Sequence, residues 1–269
     1  MVKMSSKKVK VKHIHAWMIY IIKYNKVKVQ ISSDTDRKNY YDKFITLYYG
    51  SKMIKSIIMA NLFGKNRLRE QAQQVKTEDI QDFIALIKTW HKDYHSGSLK
   101  TDKETSREQA YNQDFFIKIL GYREKPANPF SFEPKATTDK GQLPDAVLSY
   151  TDTENDIKNI AAVVELKGAG IELDRPQRRE GNMSPVQQGF KYKTQYRNCP
   201  FVVVSNFWEF RLYRDNLLDY ELWTLDDLVN EADDYLLFKT WYVLLKSDNF
   251  TAVSGVSKTE ELLSDIRIE

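Results

Sequence analysis

The chain has 269 residues, of which 42% are hydrophobic and 13% aromatic, so it can bury a substantial core. Its single cysteine, Cys199, excludes a disulfide framework and favours a reducing, cytoplasmic environment. The longest early apolar run, residues 16–22, is too short to cross a bilayer, and no small-residue cleavage site follows it. These features predict an unsecreted, soluble protein with no membrane partner.

The positive charge is concentrated at the start of the chain. The formal net charge is +4, but residues 1–30 contain eight lysines and no acid. Without these eight, the 41 basic residues fall to 33 against 37 acids, so the remainder carries about −4. We expect residues 1–33 to be a basic N-terminal extension, either a peripheral hairpin or a poorly ordered segment; a basic arm along nucleic acid is the less favoured alternative. A body of this charge would bind DNA through one focused basic face, or with another domain or subunit.

Residues 34–97 are predicted to form a helical region, because apolar residues repeat there at helical spacing. Thr77 is a candidate cap for one of these helices, and Ser96 with Gly97 ends it. His91 and His95 stand four residues apart on that helix, a spacing that can bind a metal ion. Because no cysteine or third histidine lies nearby in the sequence, we interpret them as ordinary surface or stripe histidines.

The segment from residue 98 to 122 is predicted to end in an amphipathic helix that Gly121 terminates. Tyr111, Phe115 and Ile119 form the apolar stripe, and Glu108 lies one turn before them on the same face. Two interpretations of Glu108 remain open. It is either a solvated first-turn acid that the helix dipole favours, or a third acid near a metal ion.

An acid opens one apolar run at Asp145, and Glu165 and Lys167 close the next. Glu165 and Lys167 point to the same side of a strand, and a hairpin joining the two runs would bring Asp145 beside Glu165. Two carboxylates and an ammonium then converge at one end of a small sheet. A Mg²⁺-dependent phosphodiesterase needs such a set, since hard oxygen ligands hold the cation and the cation acidifies a water. Solvated strand ends of an ordinary α/β domain are the alternative.

Polar residues continue along the chain after this motif. Arg175, Arg178 and Arg179 lie in a polar loop and are candidates for phosphate contacts. A capping serine and a first-turn proline then start a helix on which Gln188 and Tyr192 share one face. Because a buried stripe at this spacing is usually aliphatic, these side chains suit a groove that holds phosphates or water.

The last third of the chain is predicted to contain two strands and then helices. Residues 201–214 read as two strands around an Asn-centred turn, and residues 222–246 as helical with a Thr224–Asp227 capping box. The polar residues 247–269 are expected to form a C-terminal tail or linker.

At this point the residues resemble a known family. Pro144-Asp145 with Glu165-Leu166-Lys167 resembles the motif of the PD-(D/E)xK nucleases, and Gln188 with Tyr192 is similar to the Gln-x-x-x-Tyr element that follows that core in several branches. The resemblance narrows to the amino-terminal endonuclease domain of type IIG restriction-modification enzymes and covers roughly residues 75–265. Three segments carry it: YNQDFFIKILGY at 111–122, SPVQQ at 184–188 and VSNFWEFRLY at 204–213.

This resemblance implies an α/β, restriction-endonuclease-like core at residues 98–246, with a mixed central sheet flanked by helices and preceded by the helical region. It implies that Asp145 and Glu165 bind Mg²⁺, that Lys167 assists the attacking water, and that Glu108 is an additional acid. Gln188 and Tyr192 would position the active site or the DNA backbone.

The implied function is Mg²⁺-dependent endonucleolytic cleavage of double-stranded DNA. In type IIG enzymes the methyltransferase and specificity domains follow in the same chain, whereas this chain ends where they would begin, so we expect a fragment, a truncated product or a separate subunit. Two other functions stay open. One is a non-catalytic DNA-binding or assembly module that retains the nuclease fold, and the other is a repair-type exonuclease.

Overall fold

The computed structural model describes most of the chain after residue 61. The described residues are 62–101, 104–136, 143–152, 157–178, 181–253 and 255–263. The predicted basic extension at 1–33 and the helices predicted before residue 62 lie outside them.

A six-stranded mixed sheet forms the centre of the domain. Its strands are β1 (Phe132–Pro134), β2 (Ala146–Asp152), β3 (Ile157–Leu166), β4 (Phe201–Ser205), β5 (Glu209–Tyr213) and β6 (Tyr220–Thr224). They lie in sequence order from β1 to β6, and neighbours are antiparallel except for the parallel pair β3 and β4. A parallel pair requires a crossover connection, and a helix on one face of the sheet makes it.

Helices cover the sheet and complete the domain. They are α1 (Lys65–Gln73), a 3₁₀ turn (Thr77–Ile80), α2 (Gln81–His95), α3 (Ser98–Thr101), α4 (Glu104–Tyr111) with a π-helical continuation (Asn112–Ile119), the crossover helix α5 (Pro185–Lys193), α6 (Leu225–Leu228), α7 (Leu236–Leu245), α8 (Ser247–Phe250) and α9 (Lys258–Glu261). The predicted α/β class, a mixed sheet flanked by helices and preceded by a helical region, is confirmed. No helix among these described residues is long and apolar enough to span a membrane.

The strands are buried on both faces, which explains their continuous apolar runs. All five residues of β4 and the last six of β3 are buried. One face of the sheet supports the main core beneath α2, the α4 segment and α7, where Trp90, Tyr111, Phe115 and Trp241 interlock. The other face carries a smaller cluster beneath α5. The hydrophobic cluster between α5 and the sheet is therefore the smaller of the two.

Two predictions for the second half of the chain need correction. The helix predicted over 222–246 begins only after Thr224, because residues 220–224 pair with β5 as a strand. The predicted capping box is present, since the Thr224 hydroxyl accepts from the Asp227 backbone N–H. The helical pattern then breaks between α6 and α7, where residues 233–235 adopt left-handed conformations. The apolar side chains of α6 and α7 keep a helical spacing across this break, so the sequence pattern did not reveal the left-handed residues.

The predicted tail is packed against the domain as far as residue 263. α8, α9 and the short hairpin of β7 (Ala252–Val253) with β8 (Val256–Ser257) occupy this segment. Phe250 contacts Phe201 at 5.3 Å between ring centroids, and Thr259 is fully buried with its hydroxyl bonded to the Leu244 carbonyl. A few buried side chains therefore anchor a segment that is mostly polar.

Candidate active site

The register of β2 and β3 places Asp145 opposite Glu165. Ala146 pairs with Val164 in this antiparallel hairpin, so the next residue outward on one strand faces the next on the other. Asp145 Oδ2 also accepts a hydrogen bond of 2.7 Å from the backbone N–H of Leu166. The hairpin alone therefore brings these two distant carboxylates together.

Lys167 follows directly after β3 and contacts both acids. Its Nζ lies 2.5 Å from Glu165 Oε1 and 3.9 Å from Asp145 Oδ2. The Lys167 backbone N–H donates to the Ser205 carbonyl at 2.8 Å, which extends the parallel pairing of β3 and β4 by one bond. The group thus lies at the carboxyl end of a parallel strand pair, where sites of open α/β sheets form.

Glu108 joins the same group from α4, through a lysine that the sequence analysis did not identify. Lys135 Nζ lies 3.1 Å from Glu108 Oε1 and 3.8 Å from Asp145 Oδ1. Its backbone N–H donates to the Asp145 carbonyl at 2.8 Å, which fixes this residue next to β2. Glu108 is therefore buried and paired rather than solvated, and its role as a third acid near a metal ion stays a prediction.

We call Glu108, Lys135, Asp145, Glu165 and Lys167 the strand-end cluster. Its acidic side chains are largely withdrawn from water, with Glu165 3% exposed, Glu108 11% and Asp145 20%, whereas the Lys135 side chain is 56% exposed. Burying isolated carboxylates is costly, so each needs a cationic partner. Three carboxylates and two ammonium groups leave one net negative charge, which favours a further cation in the cluster.

The donor set fits Mg²⁺, whose preferred protein ligands are carboxylate oxygens. The ammonium groups of Lys135 and Lys167 lie between these acids. Within the described ranges, the ligand atoms of Glu108, Asp145 and Glu165 do not all approach within 4.8 Å of one another. A metal ion entering the cluster therefore competes with the two lysines for the same oxygens.

Helix α5 contacts the sheet beside the cluster, and its local sequence explains how. Ser184 and Gln187 form a reciprocal capping box with Pro185 in the first turn, as predicted. Gly189 lies against β3 and β4: a Cβ at that position would be 2.7 Å from Val202 Cγ1 and 3.8 Å from Glu165 Cβ. Glycine therefore allows a close approach of the helix to the strand that carries Glu165.

Of the two residues predicted on one face of this helix, Gln188 is buried and Tyr192 is half-buried. Gln188 is 2% exposed, and its Nε2 finds no hydrogen-bond partner among the described residues. Tyr192 packs with Val147 and Val163, which lie two residues from Asp145 and Glu165 on the same sheet face. A buried amide donor without a partner is expensive, so Gln188 suits a site completed by a ligand or water.

The predicted arginines lie on the loop between β3 and α5. Arg175 and Arg178 are exposed, and Arg175 lies 3.9 Å from Glu172; Arg179 is outside the described residues. Buried Arg211 holds the loop to β5, since its Nη1 bonds both oxygens of Asp174 at 2.9 and 2.8 Å. The loop thus presents two arginines to solvent from an anchored base.

Of the predicted residues, the structure brings Asp145, Glu165 and Lys167 into contact and links Glu108 to them through Lys135. It places α5, with Gln188 and Tyr192, against the same sheet face. The sequence analysis missed Lys135. Its pairing with Asp145 depends on the β1–β2 ladder, in which Pro134 aligns with Ala146. This strand has only three residues and was not predicted, so no local sequence signal pointed to Lys135.

The fold is a mixed α/β domain with a six-stranded sheet flanked by helices, consistent with a nuclease-like core. The family model for the MmeI N-terminal domain matches residues 69–252, more than half of the chain. The chain therefore belongs to this family, the N-terminal domains of type IIG restriction enzymes, as the sequence resemblance suggested. Comparisons with curated proteins and with solved structures found no match.

Proposed function

We propose that this domain is a Mg²⁺-dependent endonuclease that hydrolyses phosphodiester bonds of double-stranded DNA. Membership of the restriction-enzyme family supports the nuclease part of a restriction-modification enzyme. One observation carries the chemistry: Asp145, Glu165 and Lys167 converge at the carboxyl end of β3. This grouping has the residue types that metal-assisted phosphodiester hydrolysis requires.

Asp145 and Glu165 would hold the Mg²⁺, and Glu108 would supply a further carboxylate. When bound, the ion supplies Lewis-acid polarisation of the phosphate and a lower pKa for a coordinated water. Its hard-oxygen preference matches all three acids. The net negative charge of the strand-end cluster favours this uptake.

Lys167 stabilises the negative charge that develops on the phosphate as water attacks. Its position 2.5 Å from Glu165 keeps the ammonium fixed, so it needs little reorganisation during the reaction. The water oxygen bonds to phosphorus while the bond to the leaving sugar oxygen breaks. The water loses one proton and the leaving oxygen gains one, so the net change is hydrolysis.

Lys135 regulates the access of cations to Glu108 and Asp145. In the absence of DNA its ammonium lies close to both acids and offsets part of their negative charge, which stabilises the cluster. A phosphate entering the site offers this lysine an alternative anionic partner. DNA binding would thereby release carboxylate oxygens for the metal ion and couple metal uptake to substrate.

The neighbouring elements would position the DNA. The Gln188 amide can donate to a phosphate oxygen or a bound water, and Tyr192 lies one turn further along α5. Arg175, Arg178 and Arg179 would contact the backbone from their loop, without reading sequence. We propose that sequence specificity comes from a methyltransferase or specificity domain or subunit.

Cleavage of closed-circular plasmid tests this proposal and separates it from the two alternatives. We expect wild-type protein with Mg²⁺ or Mn²⁺ to nick circular DNA, and the Asp145→Ala variant to be inactive. Glu133→Gln is a matched control on the same sheet, since Glu133 pairs with Lys158 outside the cluster. Degradation of linear DNA alone would indicate an exonuclease. Absence of metal binding as well as cleavage would indicate an inert module.

A further inference from the structure

A second group of potential metal ligands lies where α2 meets α6. His91 and His95 on α2 both direct Nε2 to the same oxygen, Oδ1 of Asp226, at 2.9 and 3.1 Å. We call these three residues the histidine cluster. All of their ligand atoms lie within 4.8 Å of one another, and theirs is the one such group among the described residues.

Asp226 is an acid in the first turn of α6, but it is not the residue that caps the helix. The N-terminus of α6 is capped by Thr224 and Asp227, which form the reciprocal capping box. In the described part of the chain, the carboxylate of Asp226 pairs only with the two histidines. Its side chain therefore serves the contact between the two helices rather than the start of its own helix.

Aromatic packing holds the two imidazole rings in place. The rings lie 4.4 Å apart between centroids, and the edge of the Trp208 ring meets His95 at 5.6 Å. Trp208 is stacked on Tyr94 at 4.0 Å, and its carbonyl accepts the backbone N–H of Leu225 at the start of α6. The ligands are thus pre-positioned from both elements.

We propose that the histidine cluster is a binding site for a divalent transition-metal ion, of which Zn²⁺ is the archetype. With bonds of about 2.0–2.1 Å, tetrahedral zinc places neighbouring ligand atoms about 3.3 Å apart. The N···O separations of 2.9 and 3.1 Å need to open only slightly to admit the ion. Two neutral imidazoles and one carboxylate select such an ion over Mg²⁺, which prefers oxygen ligands.

The ion would keep at least one coordination position open to solvent. His95 is 53% exposed and Asp226 47%, while His91 is 30% exposed, so water can complete the coordination. Three protein ligands plus water are the ligand number of open zinc sites. Bound metal would link α2 to α6 and stabilise the folded domain, because the ligands come from both elements. This site is separate from the proposed nuclease function and does not depend on it.

Cobalt substitution tests the proposal with a readout independent of activity. Chelator-treated full-length protein carrying Asp145→Ala is titrated with Co²⁺, so that the strand-end cluster is weakened in every sample. We expect one equivalent to bind with visible absorption typical of a low-symmetry site, Zn²⁺ to displace it, and Zn²⁺ to raise the melting temperature.

Variants of the ligands identify the site. In the same background, His95→Ala and Asp226→Asn should each weaken Co²⁺ affinity roughly tenfold or more. The double variant His13→Ala/His15→Ala removes the chain's other two histidines and should leave the binding unchanged. Circular dichroism verifies that every variant is folded.

Three results would overturn the proposal. They are no Co²⁺ or Zn²⁺ binding at 100-fold molar excess over protein, binding that survives His91→Ala/His95→Ala, and binding that is lost with His13 and His15. The first result would leave a surface hydrogen-bonded group, and the others would place the metal elsewhere in the chain.

Discussion

The strand-end cluster and the histidine cluster differ in the partners that lie beside their carboxylates. In the first, the ammonium groups of Lys135 and Lys167 already lie beside three carboxylates, two of them buried and Asp145 half-buried. In the second, the described residues supply no lysine or arginine partner, and two imidazoles share one carboxylate oxygen. The ligand atoms of the histidine cluster lie within 4.8 Å of one another, so this cluster is the better prepared for a metal ion, although only the strand-end cluster carries a recognisable motif.

This difference shows that a recognisable sequence motif and a set of ligand atoms already close enough to hold a metal ion are separate properties. Lysines beside acids keep a buried hydrolytic site stable in the absence of DNA, because uncompensated carboxylates there would be destabilising. In the proposed function, the same lysines would delay metal uptake until an anionic substrate arrives. A site assembled from exposed histidines has no such cost and can take its ion directly.

The largest expected effect comes from removing the ammonium next to Glu165. Lys167→Met should lower the rate of DNA cleavage about 10²- to 10³-fold, because it removes a fixed charge from the developing phosphate anion. The measurement is the initial rate of plasmid nicking in Mg²⁺. Lys158→Met is the matched control, since Lys158 lies on the same strand and pairs with Glu133. Equal cleavage rates in wild type and Lys167→Met would contradict a catalytic role for the Lys167 ammonium.

Removing Lys135 should change the Mg²⁺ concentration that cleavage requires. The Lys135→Met variant loses the cation that Glu108 and Asp145 share, so Mg²⁺ meets less competition. We expect the Mg²⁺ concentration for half-maximal cleavage to fall several-fold and the metal-free domain to melt at a lower temperature. An increase in the required Mg²⁺ concentration would show that Lys135 does not compete with the metal.

The strand-end cluster also depends on the close contact between α5 and the sheet. In Gly189→Ala, the new methyl group would lie 2.7 Å from Val202 Cγ1, so the helix or the strand must move. We expect a net loss of about 1–3 kcal/mol in the free energy of unfolding. Gly170→Ala is the control, because a Cβ there meets no described atom within 4 Å. Chemical denaturation measures both, and equal stabilities would contradict the contact.

The smallest expected effect comes from replacing Glu221, a carboxylate outside both clusters. Burial raises the pKa of Glu221 to about 7, against the opposing influence of the Phe63 backbone and Lys65. Because the folded state retains this proton more tightly than the unfolded state, stability from Glu221 is complete below its unfolded pKa and lost as pH rises toward 7. Glu221→Gln should therefore raise the melting temperature at pH 8 and have little effect at pH 4.

The control for this change is Glu172→Gln, which alters an exposed acid of the loop after β3. Its melting temperature should follow that of the wild type at both pH values. A melting temperature of Glu221→Gln equal to wild type at pH 8 would show that the Glu221 carboxylate is well solvated in the folded protein.

Local sequence patterns predicted the central elements because their causes are local. Alternation and β-branched runs define β3 and β4, the Ser184 capping box starts α5, and the spacing from Asp145 to Glu165 implied a hairpin. These features depend on neighbouring residues, so they are visible without a structure.

The missed residues depend on long-range contacts. Asp226 is separated from His95 by 131 positions and meets it only because α6 packs on α2. Lys135 reaches Asp145 through the pairing of an edge strand of only three residues. Neither proximity leaves a local signature, so the sequence indicated a histidine pair without its carboxylate and one lysine where the cluster contains two.

Calorimetric titration with Mg²⁺ tests the central claim most directly, because it requires no specificity partner. The account predicts that wild-type protein with a short DNA duplex binds Mg²⁺, that Asp145→Ala/Glu165→Ala abolishes this binding, and that His91→Ala/His95→Ala preserves it. Unchanged Mg²⁺ binding in Asp145→Ala/Glu165→Ala would contradict the assignment of the strand-end cluster as the metal-dependent nuclease site.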